Sequence, residues 1–315
     1  MKLQTKIPLT PQKNQIDYNS KVLLLGSCFV ENIGEKLDYY KFPILQNPFG
    51  ILFQPSAIEH LISRAVNDEP FTEEDIFFYN EQWHCFEVHS SLSNQSKDEF
   101  LKRLNKKRTQ LLDFIKSATH IVFTFGTSWV YENIDTNSFV ANCHKIPQKK
   151  FNKKLLSVDE LTIALNNTVS FIRSINTNAN IITTVSPVRH VKDGIVENTR
   201  SKAHLIASLH QVVNSAERVY YFPSFEIMMD ELRDYRFYKE DLIHPNNTAI
   251  SIIWEAFIQA WISSETEPIQ KEISSIQMGL QHKPFYPESK AHQLFLQDLK
   301  KKIELLQKKI PSIKF

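Results

Sequence analysis

Along the chain, short apolar runs stop abruptly at small or polar residues, and a longer helical pattern follows each one. The runs are KVLLLG (21–26), THIVFTFG (119–126), ANIITTV (179–185) and ERVYYF (217–222), with a weaker one at 42–46. Their length and their Val, Ile and Phe content mark them as strands. Because apolar residues are nearly continuous in them, both faces of the sheet are expected to be covered. Helical periodicity fills the intervals 28–40, 55–67, 96–117, 158–175, 200–215 and 246–263. Strand and helix in regular succession predict right-handed βαβ units. The predicted fold is therefore a three-layer α/β/α arrangement around a mainly parallel, five-stranded, doubly wound sheet. Ligands of such sheets bind in the crevice beyond the carboxyl ends of the strands.

Two segments break the rhythm. Residues 68–95, with FYNEQWHCFEVHSSLS, are rich in aromatics and read as a hairpin or irregular insertion; a second insertion spans about 130–157 and includes FVANCHKIPQKKF. These leave an α/β domain over 1–265 and a C-terminal region over 266–315. The first part of that region, ETEPIQKEISSIQMGLQHKPFYPES, reads as an extended arm. A helix follows in which Phe295, Leu299, Ile303, Leu306 and Ile310 share one face. That face has two uses: docking on a twin subunit to make a homodimer, or packing back on its own domain.

Composition narrows the classes of function. Net charge is +2 from 37 basic and 35 acidic residues, so no global field favours nucleic acid or an anionic membrane. No apolar run approaches the ~20 residues needed to cross a bilayer, and the first residues lack the apolar core of a secretory signal. A cytoplasmic location is expected. Three cysteines, an odd number and widely spaced, suggest free thiols rather than a disulfide framework.

The chemistry-bearing residues collect at the predicted strand ends. The first strand ends in Gly26-Ser27-Cys28, the third in Gly126-Thr127-Ser128, and the fourth runs into Ser186-Pro187-Val188-Arg189-His190. After the fifth comes Asp241-Leu-Ile-His244, followed by Pro245 and two asparagines. An Asp three residues before a His can accept the imidazole Nδ1–H, which leaves Nε2 free as a base. Asn246 or Asn247 is placed to cap the next helix. Arg189 and His190 can bind a carboxylate, a phosphate or a sugar oxygen, or can serve the fold alone. His84, Cys85, His89, Cys143 and His144 are metal-ligand types, but their spacing matches no familiar site and no metal is expected. They can instead wall a pocket.

These pieces, in this order, resemble the SGNH or GDSL-like hydrolase superfamily. LLLGSCF resembles specifically the GSCFA family, with Val30 where that motif has Ala. NPFGI (47–51), TFGTSW, ANCHKIP, SPVRH and DLIHPN fit the same resemblance, which spans roughly 20–265. It implies a flavodoxin-like sheet and an esterase or acyltransferase without cofactor, acting on a small-molecule or carbohydrate ester, with no nucleic acid or membrane partner. It places the nucleophile two residues after Gly26, at Cys28. A helix dipole and a nearby imidazole are expected to lower that thiol's pKa. Ser27 stays open as the nucleophile, as a helix cap or as a hydrogen-bonding substitute. The resemblance also implies oxyanion donors at the nucleophile's own N–H, at Gly50, and in the block at Gly126, where Ser128 stands in the superfamily's Asn position. Asn47 is a further amide donor if its loop folds inward. The alternative is a weak or inactive carbohydrate- or acyl-binding protein on the same fold.

Overall fold

The computed structural model describes residues 4–315. Five parallel strands form the central sheet: β1 (Val22–Gly26), β2 (Ile44–Gln46), β3 (His120–Phe125), β4 (Asn180–Val185) and β5 (Val219–Tyr221), in the order β5-β4-β3-β1-β2. This is the flavodoxin-like doubly wound order, in which the chain leaves β1 toward one edge and returns to build the other. Leu24 pairs with Val122 on β3, and Val122 in turn pairs with Ile182 on β4.

Strand residues alternate between two cores. Leu23, Leu25, Ile121, Phe123 and Ile181 face one side, against α2 (Pro55–Val66), α3 (Lys97–Ser117), α4 (Val158–Ile175) and α5 (Ile195–Ser215). Val22, Leu24, Val122 and Ile182 face the other, against α1 (Cys28–Tyr39) and α6 (Asn247–Trp261). Unbroken apolar strands are what burial on both faces requires. Helix starts follow capping chemistry: Asn246 accepts from the Ala249 N–H at 3.1 Å, and Ser157 and Glu160 form a reciprocal capping box.

The insertions form two small antiparallel units. One is a hairpin of Phe77–Tyr79 with Gln82–His84; the other is a three-stranded sheet of Trp129–Asn133, Ser138–Val140 and Phe151–Leu155. His144 joins them, its Nε2–H donating to the Cys85 carbonyl at 2.7 Å. Both ring nitrogens of His84 are engaged, with Ser93 Oγ and the Tyr79 carbonyl. His89 Nδ1 accepts from the Ser91 N–H. Among the described residues no three His, Cys, Asp or Glu side chains gather as metal ligands, and no helix is long and apolar enough to cross a membrane.

The C-terminal region corrects one expectation and, of the two uses open to its helix face, shows packing on the chain itself. Residues read as an extended arm form α7 (Glu267–Gln281), with Ile273 and Ile276 buried; Pro268 sits in its first turn, where a missing N–H costs nothing. The face of α8 (Lys290–Lys309) that suggested a homodimer is occupied by the chain's own core. Leu299 and Leu306 are buried, Ile303 and Ile310 pack beside them, and all join the core that holds Phe29, Ile33 and Leu37 of α1. Gln277 also donates to the Tyr39 carbonyl at the end of α1.

The corner after β1 is tight. Gly26 has φ +148°, and a Cβ there would lie 2.3 Å from the Thr124 carbonyl oxygen on β3. Gly26→Ala is therefore expected to destabilise the protein by at least about 2 kcal/mol, seen as a lower urea midpoint with unchanged slope.

Candidate active site

The corner hands the chain from β1 to α1 with its polar groups assigned. Ser27 is the N-cap: its N–H donates to the Thr124 carbonyl (2.9 Å), and its buried Oγ accepts from the Phe29 N–H (3.3 Å). Cys28 is the first residue of α1 and is half-buried. The first helical N–H groups have no partner inside the helix, and among the described residues the Cys28 N–H meets only its own sulfur.

The expected lowering of the Cys28 pKa is overturned. Burial, with the Glu31 carboxylate adding to it, pushes the thiol up, against the opposing pull of Lys202 and Lys239. Desolvation outweighs the helix terminus, because the thiol is packed against the core under α1. At rest Cys28 is a neutral thiol.

Across the sheet edge lies the 239–246 loop. His244 Nδ1 is 2.7 Å from Asp241 Oδ2, and Asp241 Oδ1 accepts from the backbone N–H groups of Ile243 (2.8 Å) and His244 (2.9 Å). Those backbone bonds, then the imidazole, hold the Asp241 carboxyl down at about 2. An anionic Asp241 fixes the Nδ1–H tautomer, and among the described residues no hydrogen bond engages Nε2. The loop is tied to the end of β4, where Arg189 donates to the Leu242 carbonyl at 3.2 Å and its backbone N–H to the Ile243 carbonyl at 3.3 Å. The Arg189 guanidinium also covers the Tyr238 ring, 4.3 Å from its centroid. Arg189 thus positions the His244 loop through one of its side-chain donors and its backbone N–H.

His190 is the wall beside that loop. Its ring lies tilted against Phe53 (5.3 Å between centroids, 44° between planes), and its backbone N–H donates to Asn198 Oδ1 (2.8 Å). Burial, then the charges of Lys202 and His244, push His190 down to about 4, so it is neutral at neutral pH.

The implied oxyanion donors are redistributed. The Gly50 N–H donates to the Asn47 carbonyl (2.8 Å) in a turn, and the Gly126 N–H to the Phe53 carbonyl (2.8 Å). Ser128 Oγ donates to the Ser201 carbonyl (2.5 Å) and is fully buried. None of these three offers a free proton. Asn47 does: its Oδ1 accepts from the Gly26 N–H (2.9 Å), while its buried Nδ2 has no partner among the described residues. Asn47 therefore keeps an uncommitted amide enclosed beside Gly26, among Leu25, Phe49 and Leu52.

One central residue was not anticipated from the sequence. Lys202, on α5, is wholly buried and donates to the carbonyls of Gly126 (2.6 Å) and Ser186 (2.7 Å), the residues just past β3 and β4. Asn198 and Ser201 on the same helix hold the His190 and Ser128 loops. The signal was present, since Lys202 is in phase with Leu205, Leu209 and Val212 on the buried face of α5.

The GSCFA family model matches residues 21–257, and the model described as "GSCFA domain protein, C-terminal domain" matches 273–315. No curated protein sequence matches the chain. Similar solved structures include the Clostridium thermocellum family 3 carbohydrate esterase, with 10% identity, TM-score 0.36, and coverage of 80% of this chain and 97% of that one. A family 3 carbohydrate esterase from Talaromyces cellulolyticus has 9% identity, TM-score 0.36 and coverage of 80% and 99%. An acetyl esterase mutant with acetate ion has 10% identity, TM-score 0.37 and coverage of 81% and 99%.

Lys202→Met leaves two buried carbonyls without donors and is expected to cost roughly 2–6 kcal/mol. Burial pushes the folded Lys202 down to about 7 from an ordinary 10.5. Between those values the unfolded chain holds the extra proton, so Lys202's contribution to stability rises with pH. The stability gap between wild type and Lys202→Met should therefore widen from pH 7 to pH 10 in denaturant titrations. A gap that narrows would contradict the assignment.

Proposed function

This chain belongs to the GSCFA family, and from that premise and the geometry above we propose that it is an SGNH-like esterase or acyltransferase acting on acyl esters of carbohydrates. The observation that carries the reading is the Asp241–His244 pair, its carboxylate held by two backbone N–H groups. Its loop sits near enough to the β1–α1 corner for Lys239 to bear on the Cys28 thiol.

Cys28 attacks the acyl carbonyl. Because burial keeps the thiol protonated at rest, His244 Nε2 takes the Sγ proton as the Sγ–C bond forms. The Cys28 N–H donates to the resulting oxyanion. The imidazolium, stabilised by Asp241, then gives its proton to the departing sugar alkoxide as the C–O bond breaks, leaving a thioester. Water, or another hydroxyl in the transferase case, loses a proton to His244 as it attacks the thioester. The acyl group leaves as acid or as new ester, and Cys28 regains its proton. Ser27 caps the helix in this scheme.

The second reading, a binding protein with weak or no turnover, draws on the raised Cys28 pKa and the commitment of Ser128. The two diverge in one assay. Cys28→Ala and His244→Ala should each lower p-nitrophenyl acetate hydrolysis by roughly 10²–10⁴-fold with unchanged circular dichroism. Absence of wild-type turnover, with Cys28 unlabelled by the ester, would favour the binding protein.

Asp241 stays ionised down to about pH 2, so it is a carboxylate throughout the range in which turnover is measured. Asp241→Asn is expected to lower kcat by up to about 10⁴-fold. An Asp241→Asn variant with wild-type kcat would remove Asp241 from the mechanism.

A further inference from the structure

Beside the His244 loop a cleft of about 580 Å³ runs between the three-stranded insertion and the segment after β4. Its size falls within the ~300–1,000 Å³ typical of ligand sites. His190 and Ile243, the residue before His244, are in its wall, while His244 and Cys28 themselves lie outside the lining. Two polar groups lining it have no partner among the described residues: the Trp129 indole N–H and the Gln54 side-chain carbonyl. Gln54 is 97% buried by side-chain and backbone surroundings, being only 3% exposed, and it sits at the N-cap of α2 without capping that helix through its side chain. A buried donor and a buried acceptor left unsatisfied in a protein are costly, which marks them as groups awaiting a ligand.

Their chemistry selects the ligand. A hydroxyl accepts from an indole N–H and donates to an amide carbonyl, and a sugar carries several such groups together with apolar C–H faces for Phe53 and Tyr131. Of the two lysines in the lining, Lys153 is ion-paired with Asp193 and lies over the Trp129 ring, and Lys192 is exposed to solvent, so neither is a buried cation that calls for an anion.

We propose that this cleft is the saccharide subsite, in which the Trp129 N–H and the Gln54 carbonyl hold hydroxyls of an uncharged sugar whose ester reaches Cys28. The inference rests on the esterase reading for its catalytic half and on the unpartnered groups for its binding half. Two readouts separate them. The first is the ratio of kcat/KM for mono-O-acetylated methyl glucoside to that for p-nitrophenyl acetate. Trp129→Phe, which keeps the ring, and Gln54→Met, which keeps the length, should each lower this ratio about tenfold, the worth of one hydrogen bond. The second is ligand-observed NMR with methyl glucoside alone, whose binding both variants should weaken and methyl glucuronide should not surpass. Glucoside binding without wild-type ester turnover would uphold the subsite and end the esterase reading. An unchanged ratio with unchanged glucoside binding in both variants, no binding to wild type, or tighter binding of the glucuronide would overturn the subsite.

Discussion

A buried lysine amine holds the sheet's working edge together. Lys202 grips the carbonyls that leave β3 and β4, and its neighbours Asn198 and Ser201 grip the loops that follow. Strand ends in a doubly wound sheet are where backbone pairing stops, so carbonyls and N–H groups there need other partners or water. Placing one amine among them satisfies two at once and excludes water from beneath the site. The cost falls on its protonated form, far from solvent, and is visible in a pKa pushed down to about 7.

That arrangement divides the site into a fixed side and a presented side. Gly50, Gly126 and Ser128 belong to the fixed side: their protons close turns and crosslinks that shape the edge. His244 Nε2 stays uncommitted on the presented side, and Asn47 Nδ2 is uncommitted but enclosed behind the corner. Arg189 links the two, since it carries the His244 loop on the end of β4 through the Leu242 carbonyl and the Tyr238 ring.

Much of this was legible in the sequence, and the misses share a cause. The five strands, the Gly26-Ser27-Cys28 corner and the Asp241–His244 spacing were readable because each depends on local pattern: apolar runs, a turn glycine, an i to i+3 hydrogen bond. Helix α5 begins at Ile195 rather than 200: its first apolar residues, Ile195 and Val196, face solvent while Asn198 turns inward to a loop, so the buried-face period does not mark the start. Which backbone N–H groups remain free cannot be read from spacing, so Gly50 and Ser128 looked available until their partners in distant segments were visible. The thiol's environment failed the same way: helix position is local, but desolvation is set by everything packed around α1. Helix α7 was obscured by Pro268 and Gly279, two helix-breaking residues that here sit in the first turn and against Leu299.

The tail has a bearing on the thiol that its place in the chain hides. Ile273, Ile276, Leu299 and Leu306 complete the apolar bed beneath α1, and Gln277 holds the last turn of that helix at Tyr39. The rod that carries Cys28 at its tip is thus clamped from behind by the final fifty residues. The two sequence-defined modules share one apolar core, and severing them would slacken the mounting of Cys28 without touching a single group in the cleft.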